Sequence, residues 1–226
     1  MTQLCQRRKS LNRILLTFIS VCLVSQAVLG QRARKAPVQQ TGMSADKLLS
    51  LGDFYFRNND ISDAADRYYR QAIKAAPRSQ AAGYAQFNRA NYWWRKYFIV
   101  KEQFSKEDKA ALSAAEVQYY DFIDKFAQAN NVPGVLSDAE FSLALVYLKQ
   151  GKRSYASGWL NRMLSEAVSK DPQVNVYRVV WSSNVADIVD RTVDARKLAI
   201  FTNQLVEKNL DFNTTVNEIR RWCMRQ

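Results

Sequence analysis

From Ser44 almost to the end of the chain, apolar residues recur three and four positions apart, the spacing of one helix face. The stretch before it has a different texture. Residues 31–43 carry Pro37, Gln39-Gln40 and Gly42 with no apolar period, and read as a linker. Ser44 stands ahead of the first periodic segment as an N-cap. Ser137-x-x-Glu140 has the form of a capping box, and Ser105-x-x-Asp108 is a looser version. Stops are marked by Asn58-Asn59, Pro77, Asn130-Asn131 with Pro133-Gly134, Gly151 and Pro172. These signals predict helices over 45–57, 62–75, 80–102, 106–129, 138–149, 153–169, 174–190, 192–209 and 214–224. The predicted class is all-α, with antiparallel helix hairpins stacked as a solenoid and irregular helices at the C-terminus.

The periodic region also repeats itself. Leu48-x-x-Leu51-Gly52-x-x-Tyr55 is followed by Ala64-x-x-x-Tyr68, and Pro77 closes the unit. Glu140-x-x-Leu143-Ala144-x-x-Tyr147 is followed by Ala156-x-x-x-Leu160. Between them lie Phe87-x-x-Ala90-Asn91-x-x-Trp94 and, after a longer loop, Ala115-x-x-x-Tyr119. A small residue at Gly52 or Ala144 suits two antiparallel helices that cross closely. A large side chain there would overpack the contact by roughly 1–3 kcal/mol. Ala64, Ala115 and Ala156 serve the same end from the partner helix, and Tyr55, Trp94 and Tyr147 fill the space beside it.

This pair of half-motifs resembles the tetratricopeptide repeat, a helix–turn–helix unit. The resemblance runs over residues 44–170; it is good in the first and third units and weaker in the second, where Asn91 replaces the small residue. Residues 173–210 look like a further helical pair, with Ala195-x-x-x-Ala199 echoing a second helix; a diverged repeat and a capping pair both fit. The resemblance implies a concave groove lined by the first helix of each unit. Carried onto this sequence, its contact positions are Asp53, Phe56 and Arg57, then Asn88, Tyr92, Arg95 and Lys96, then Phe141, Leu145, Leu148 and Lys149. Such a groove suits a protein segment with apolar anchors and some acidic character.

Composition narrows the alternatives. Hydrophobic residues make up 47% of the chain, enough for a packed core, while Gly 7 and Pro 4 are too few for the many turns of an all-β domain. The net charge of +12 invites a nucleic-acid reading until it is located. Arg7, Arg8, Lys9, Arg13, Arg32, Arg34 and Lys35 all precede residue 36, and subtracting these seven leaves +5 for the rest. No nucleic-acid partner is therefore expected. The early charges belong to a basic head ahead of the apolar run Ile14–Leu29, which ends at Val28-Leu29-Gly30. That layout predicts a signal peptide over 1–30 and a location in the periplasm or cell envelope of a bacterium. An uncleaved anchor, giving membrane association through this segment, is the alternative. Cleavage after Gly30 would leave Cys223 as the lone thiol, so the fold is expected to stand without a disulfide.

Catalytic chemistry finds little footing. The chain has no histidine, which removes Ser-His-Asp triads, Cys-His pairs and His-bearing zinc sites. Ser44-x-x-Lys47 matches half of a penicillin-binding signature, but its companion motifs are missing and a helix cap accounts for Ser44. No catalytic residue, metal or cofactor is predicted. The run Tyr92-Trp93-Trp94 suggests a stacking platform for a glycan, the alternative function. Successive helical residues point in different directions, which favours core packing for these rings. The leading expectation is a non-enzymatic scaffold in the cell envelope that binds segments of other proteins.

Overall fold

The computed structural model describes residues 42–130, 132–170, 173–175 and 192–226. Eight α-helices dominate them: α1 (Ala45–Arg57), α2 (Ala64–Ala75), α3 (Gln80–Phe104), α4 (Lys109–Asp121), α5 (Leu136–Lys149), α6 (Arg153–Lys170), α7 (Ala195–Glu207) and α8 (Phe212–Cys223). They pack in chain order as antiparallel pairs. A short antiparallel ladder, β1 (Gln173–Asn175) and β2 (Thr192–Asp194), pairs Val174 with Val193. The fold class expected from the periodicity is the one observed.

Helix starts follow side-chain oxygens that take up orphan backbone donors. Ser44 Oγ accepts from the Lys47 N–H at 3.3 Å and Ser79 Oγ from the Ala82 N–H at 3.1 Å. Asp108, Asp194 and Asp211 cap α4, α7 and α8 in the same way. Two expected caps are corrected. Ser105 ends α3 in the left-handed conformation, φ 51°, and Asp108 is the cap that opens α4. Ser137 lies inside α5, which begins at Leu136 after a 3-10 turn over Pro133–Val135. Its Glu140 is wholly buried, and its Oε1 accepts from Arg162 Nε at 3.1 Å. The predicted helix 106–129 is also shorter, because α4 widens into a π-turn at Phe122–Phe126. Helices expected to start at 174 and 192 are replaced at 174–175 and 192–194 by the two strands; residues 176–190 fall outside the described ones.

Packing explains the small residues. A β-carbon built on Gly52 would meet Cδ1 of the buried Tyr69 at 2.5 Å, so the ring of α2 lies directly on the backbone of α1. Tyr69, Leu48, Ala65, Ala72, Ala85 and Tyr92 form a core under the first pair. A larger core continues from Phe87, Trp94 and Tyr97 on α3 through Tyr119, α5 and Leu160 to Leu198, Ile219 and Cys223. Helix α5 is the centre of this core; every residue from Leu136 to Leu148 is buried.

Candidate functional site

Helices α1 and α3 bring five of the eleven expected groove residues together. Asp53 in α1 faces Asn88 in α3, whose Nδ2 donates to Asp53 Oδ1 at 2.9 Å. The Tyr69 hydroxyl donates to the same oxygen at 2.9 Å. One turn on, Arg95 donates from NH1 to the Phe56 carbonyl oxygen at 2.8 Å, and its guanidinium lies 4.9 Å from the Phe56 ring centre. Arg57 is exposed in the last turn of α1. Asp53, Phe56, Asn88 and Arg95 are half-buried, so this α1–α3 seam is a surface of paired side chains with Arg57 on its rim.

Beside the seam, α3 is tied to α2 by carboxylates. Asp63 stands before α2 with φ 65°, a strained conformation for a residue with a β-carbon. The Tyr92 hydroxyl holds it there, accepting from the Asp63 N–H at 3.1 Å while donating to its Oδ1 at 2.8 Å. Lys96 Nζ reaches the same oxygen at 2.5 Å and sits 4.9 Å from the Trp93 ring. Asp66 is buried and takes Arg89 Nε at 2.6 Å, Trp93 Nε1 at 3.0 Å and Arg70 Nε at 2.9 Å. Burial, with the facing carboxylates of Asp53 and Asp63, pushes the Tyr69 and Tyr92 hydroxyls well above the ordinary phenol range.

The rest of the expected groove is not a surface. Phe141 and Leu145 have no exposure, and Leu148 and Tyr92 are buried as well. The reason is the enclosure of α5 on all sides, which turns its contact positions into core. Lys149, at the end of α5, stands 4.9 Å from the ring of Phe212 and 5.6 Å from that of Tyr97. Burial and, after it, the neighbouring Lys101 lower its pKa. The glycan platform meets the same obstacle: Tyr92 and Trp94 are buried, and Trp93 is half-buried with its N–H committed to Asp66.

One surface escaped the sequence reading. On α4 and α6, Val117, Tyr120 and Tyr155 are 53%, 51% and 62% exposed, and the Tyr120 ring meets Trp159 edge-on at 6.1 Å. An open cleft of ≈ 440 Å³ lies among Ser154, Tyr155, Gly158, Trp159 and Arg162. The available signal was Tyr155-x-x-x-Trp159, two aromatics one turn apart on the polar side of α6.

Among the described residues no cluster of acids and cysteines is placed to hold a metal ion, and no helix is long and apolar enough to cross a membrane. The fold and its seams define a helical protein of antiparallel helix pairs. No protein-family model, curated protein or solved structure matches the chain.

Proposed function

We propose that this protein is an exported tetratricopeptide-like scaffold that catalyses nothing and holds segments of partner proteins. The observation that carries this reading is the α1–α3 seam. The positions that contact ligand in such repeats, Asp53, Phe56, Asn88 and Arg95, meet there across two neighbouring first helices, and Arg57 opens onto solvent beside them. Their mixture of an aromatic ring, an amide, two guanidinium groups and one carboxylate, the last already held by Tyr69 and Asn88, suits a peptide with apolar and acidic side chains. The N-terminal segment 1–30 carries the chain to the periplasm or envelope of a bacterium, or holds it at the membrane as an anchor.

Site-specific photo-crosslinking tests this. A benzophenone side chain placed at Arg57 of the full chain should yield a discrete protein adduct in cells. The same probe at Lys74, exposed near the end of α2, should not. No adduct from Arg57, or the same adducts from both positions, would overturn the assignment of the seam.

A further inference from the structure

We infer that the α4–α6 face is a second docking surface, and that its occupant is an acidic amphipathic helix of a partner protein. This rests on the scaffold reading above but uses a different part of the molecule. The cleft is the groove between two i, i+4 ridges of α6. Ser154, Gly158 and Arg162 form one row, Tyr155 and Trp159 the other. Grooves of this shape accept the ridge of another helix. Helix α6 already packs on α5 and α7, and this stripe is its remaining face.

The aromatic wall is fixed in advance. Tyr155 stacks on Tyr147 with ring centres 5.4 Å apart. Arg162 lies 5.0 Å from the Trp159 ring. Gly158 leaves the floor open, with nothing within 4 Å of a β-carbon built there. Three large apolar side chains, Val117, Tyr120 and Tyr155, are more than half exposed on this face. Contiguous apolar exposure of this kind marks interaction sites, and tyrosine and tryptophan are favoured interface anchors.

Charge selects the occupant. Lys152 and Arg162 flank the aromatics, about 15 Å apart along the helix axis at 1.5 Å per residue. Each is paired, yet in each pair the base is the outer partner. Lys152 is 46% exposed against 25% for Glu116, and Arg162 39% against 0% for Glu140. The acids lie beneath and the cations face solvent, so the cleft ends are positive. A helix with apolar residues at its centre and carboxylates about one and a half turns to either side complements this face.

The test is a displayed library of helical peptides selected against the immobilised full chain, with the Gly158→Leu chain as counter-target. The β-carbon of a residue at Gly158 meets nothing within 4 Å, so leucine there projects into the cleft and the variant is expected to keep the fold; matching far-ultraviolet circular dichroism and thermal midpoint check this. Enriched peptides are expected to carry central apolar residues flanked by Asp or Glu, and to bind Gly158→Leu and Tyr155→Ser roughly tenfold or more weakly. Enrichment of neutral or basic peptides, or binding untouched by Gly158→Leu, overturns the proposal. Peptides lost on Asp53→Lys but not on Gly158→Leu overturn this face and leave the scaffold reading standing. Failure to enrich any peptide overturns the proposal, and concentration-dependent dimerisation abolished by Gly158→Leu then assigns the face to a second copy.

Discussion

The ring of Tyr69 rests on the backbone of Gly52, with Cδ1 only 2.5 Å from where a β-carbon would stand. The contact fixes how closely α1 and α2 approach. It predicts that Gly52→Ala destabilises the fold although alanine is the better helix former by about 1 kcal/mol. Overpacking against a wholly buried ring costs about 1–3 kcal/mol, so a net loss of up to about 2 kcal/mol is expected in urea unfolding. Gly158→Ala is the control. It lies in a helix with open space around it and should be neutral or stabilising by up to about 1 kcal/mol. Equal effects at the two glycines would defeat the packing argument.

Tyr69 also donates its hydroxyl to Asp53 at 2.9 Å. Tyr69→Phe removes this bond while Asn88 still serves the carboxylate, and should cost about 1–2 kcal/mol at pH 7. The cost depends on pH in a defined direction. The folded state holds the phenol proton above its ordinary range through burial and the adjacent Asp53, whereas the unfolded chain releases it near pH 10. Above that pH the folded state binds more protons than the unfolded one, so wild-type stability falls as pH rises, by up to about 1.4 kcal/mol per unit from this group. The phenylalanine variant lacks the term. The two stabilities should therefore converge above about pH 10, measured as the difference between paired unfolding curves. A gap that stays constant to pH 11 would remove Tyr69 from the account.

Asp66 gathers three donors, from Arg70, Arg89 and Trp93. Its carboxylate is 3% exposed, and Arg89 is 22% exposed. Asp66→Ala strands the indole N–H and a partly buried guanidinium, and an expected loss of about 2–4 kcal/mol follows. Asp66→Asn keeps one acceptor and should lose clearly less. Chemical denaturation of both variants, read by tryptophan fluorescence, checks the order. Equal losses would mean that the acceptor is not what matters.

The helices of the first pair were legible because each has one apolar face and one polar face, and because Ser44 and Pro77 mark their limits. Gly52 was legible for the same reason: only a close helix crossing demands a residue without a side chain there. Helix α5 was harder. It is enclosed on every side, so Ser137, Asp138 and Glu140 look like an exposed helix start when they are interior residues. The same enclosure removed Phe141, Leu145 and Leu148 from the groove, since repeat positions say which way a side chain points but not what lies in front of it. On the α1–α3 side the same positions stay half-buried, and Asp53 pairs with Asn88 and Phe56 with Arg95. The α4–α6 face was missed because it depends on two helices whose sequences are more than thirty residues apart, and only packing brings Tyr120 to Trp159.

Asn130 shows how far a turn residue can act from its own turn. In the sequence it reads as part of a stop signal. In the structure its buried amide crosses to the start of α3 and donates from Nδ2 to the carbonyl oxygens of Pro77 at 2.8 Å and Ser79 at 2.6 Å. Its Cβ and the side chain of Val132 also press on Gly83, each 2.9 Å from a β-carbon built there. The loop after α4 is thereby clamped to the junction of α2 and α3. Asn130→Ala removes both bonds and should cost about 1–3 kcal/mol. Asn130→Asp is the sharper test. It keeps the size but places a carboxylate against two carbonyl oxygens, so it should destabilise more than alanine does at pH 7. Acid should then help it. The repulsion raises the folded-state pKa of the new carboxyl above its unfolded value near 4, so lowering the pH restores the donor proton and recovers stability relative to wild type. Unfolding midpoints of wild type, Asn130→Ala and Asn130→Asp at pH 7 and pH 5 provide the comparison. An aspartate variant as stable as the alanine one at both values would show that Asn130 is not the clamp between these segments.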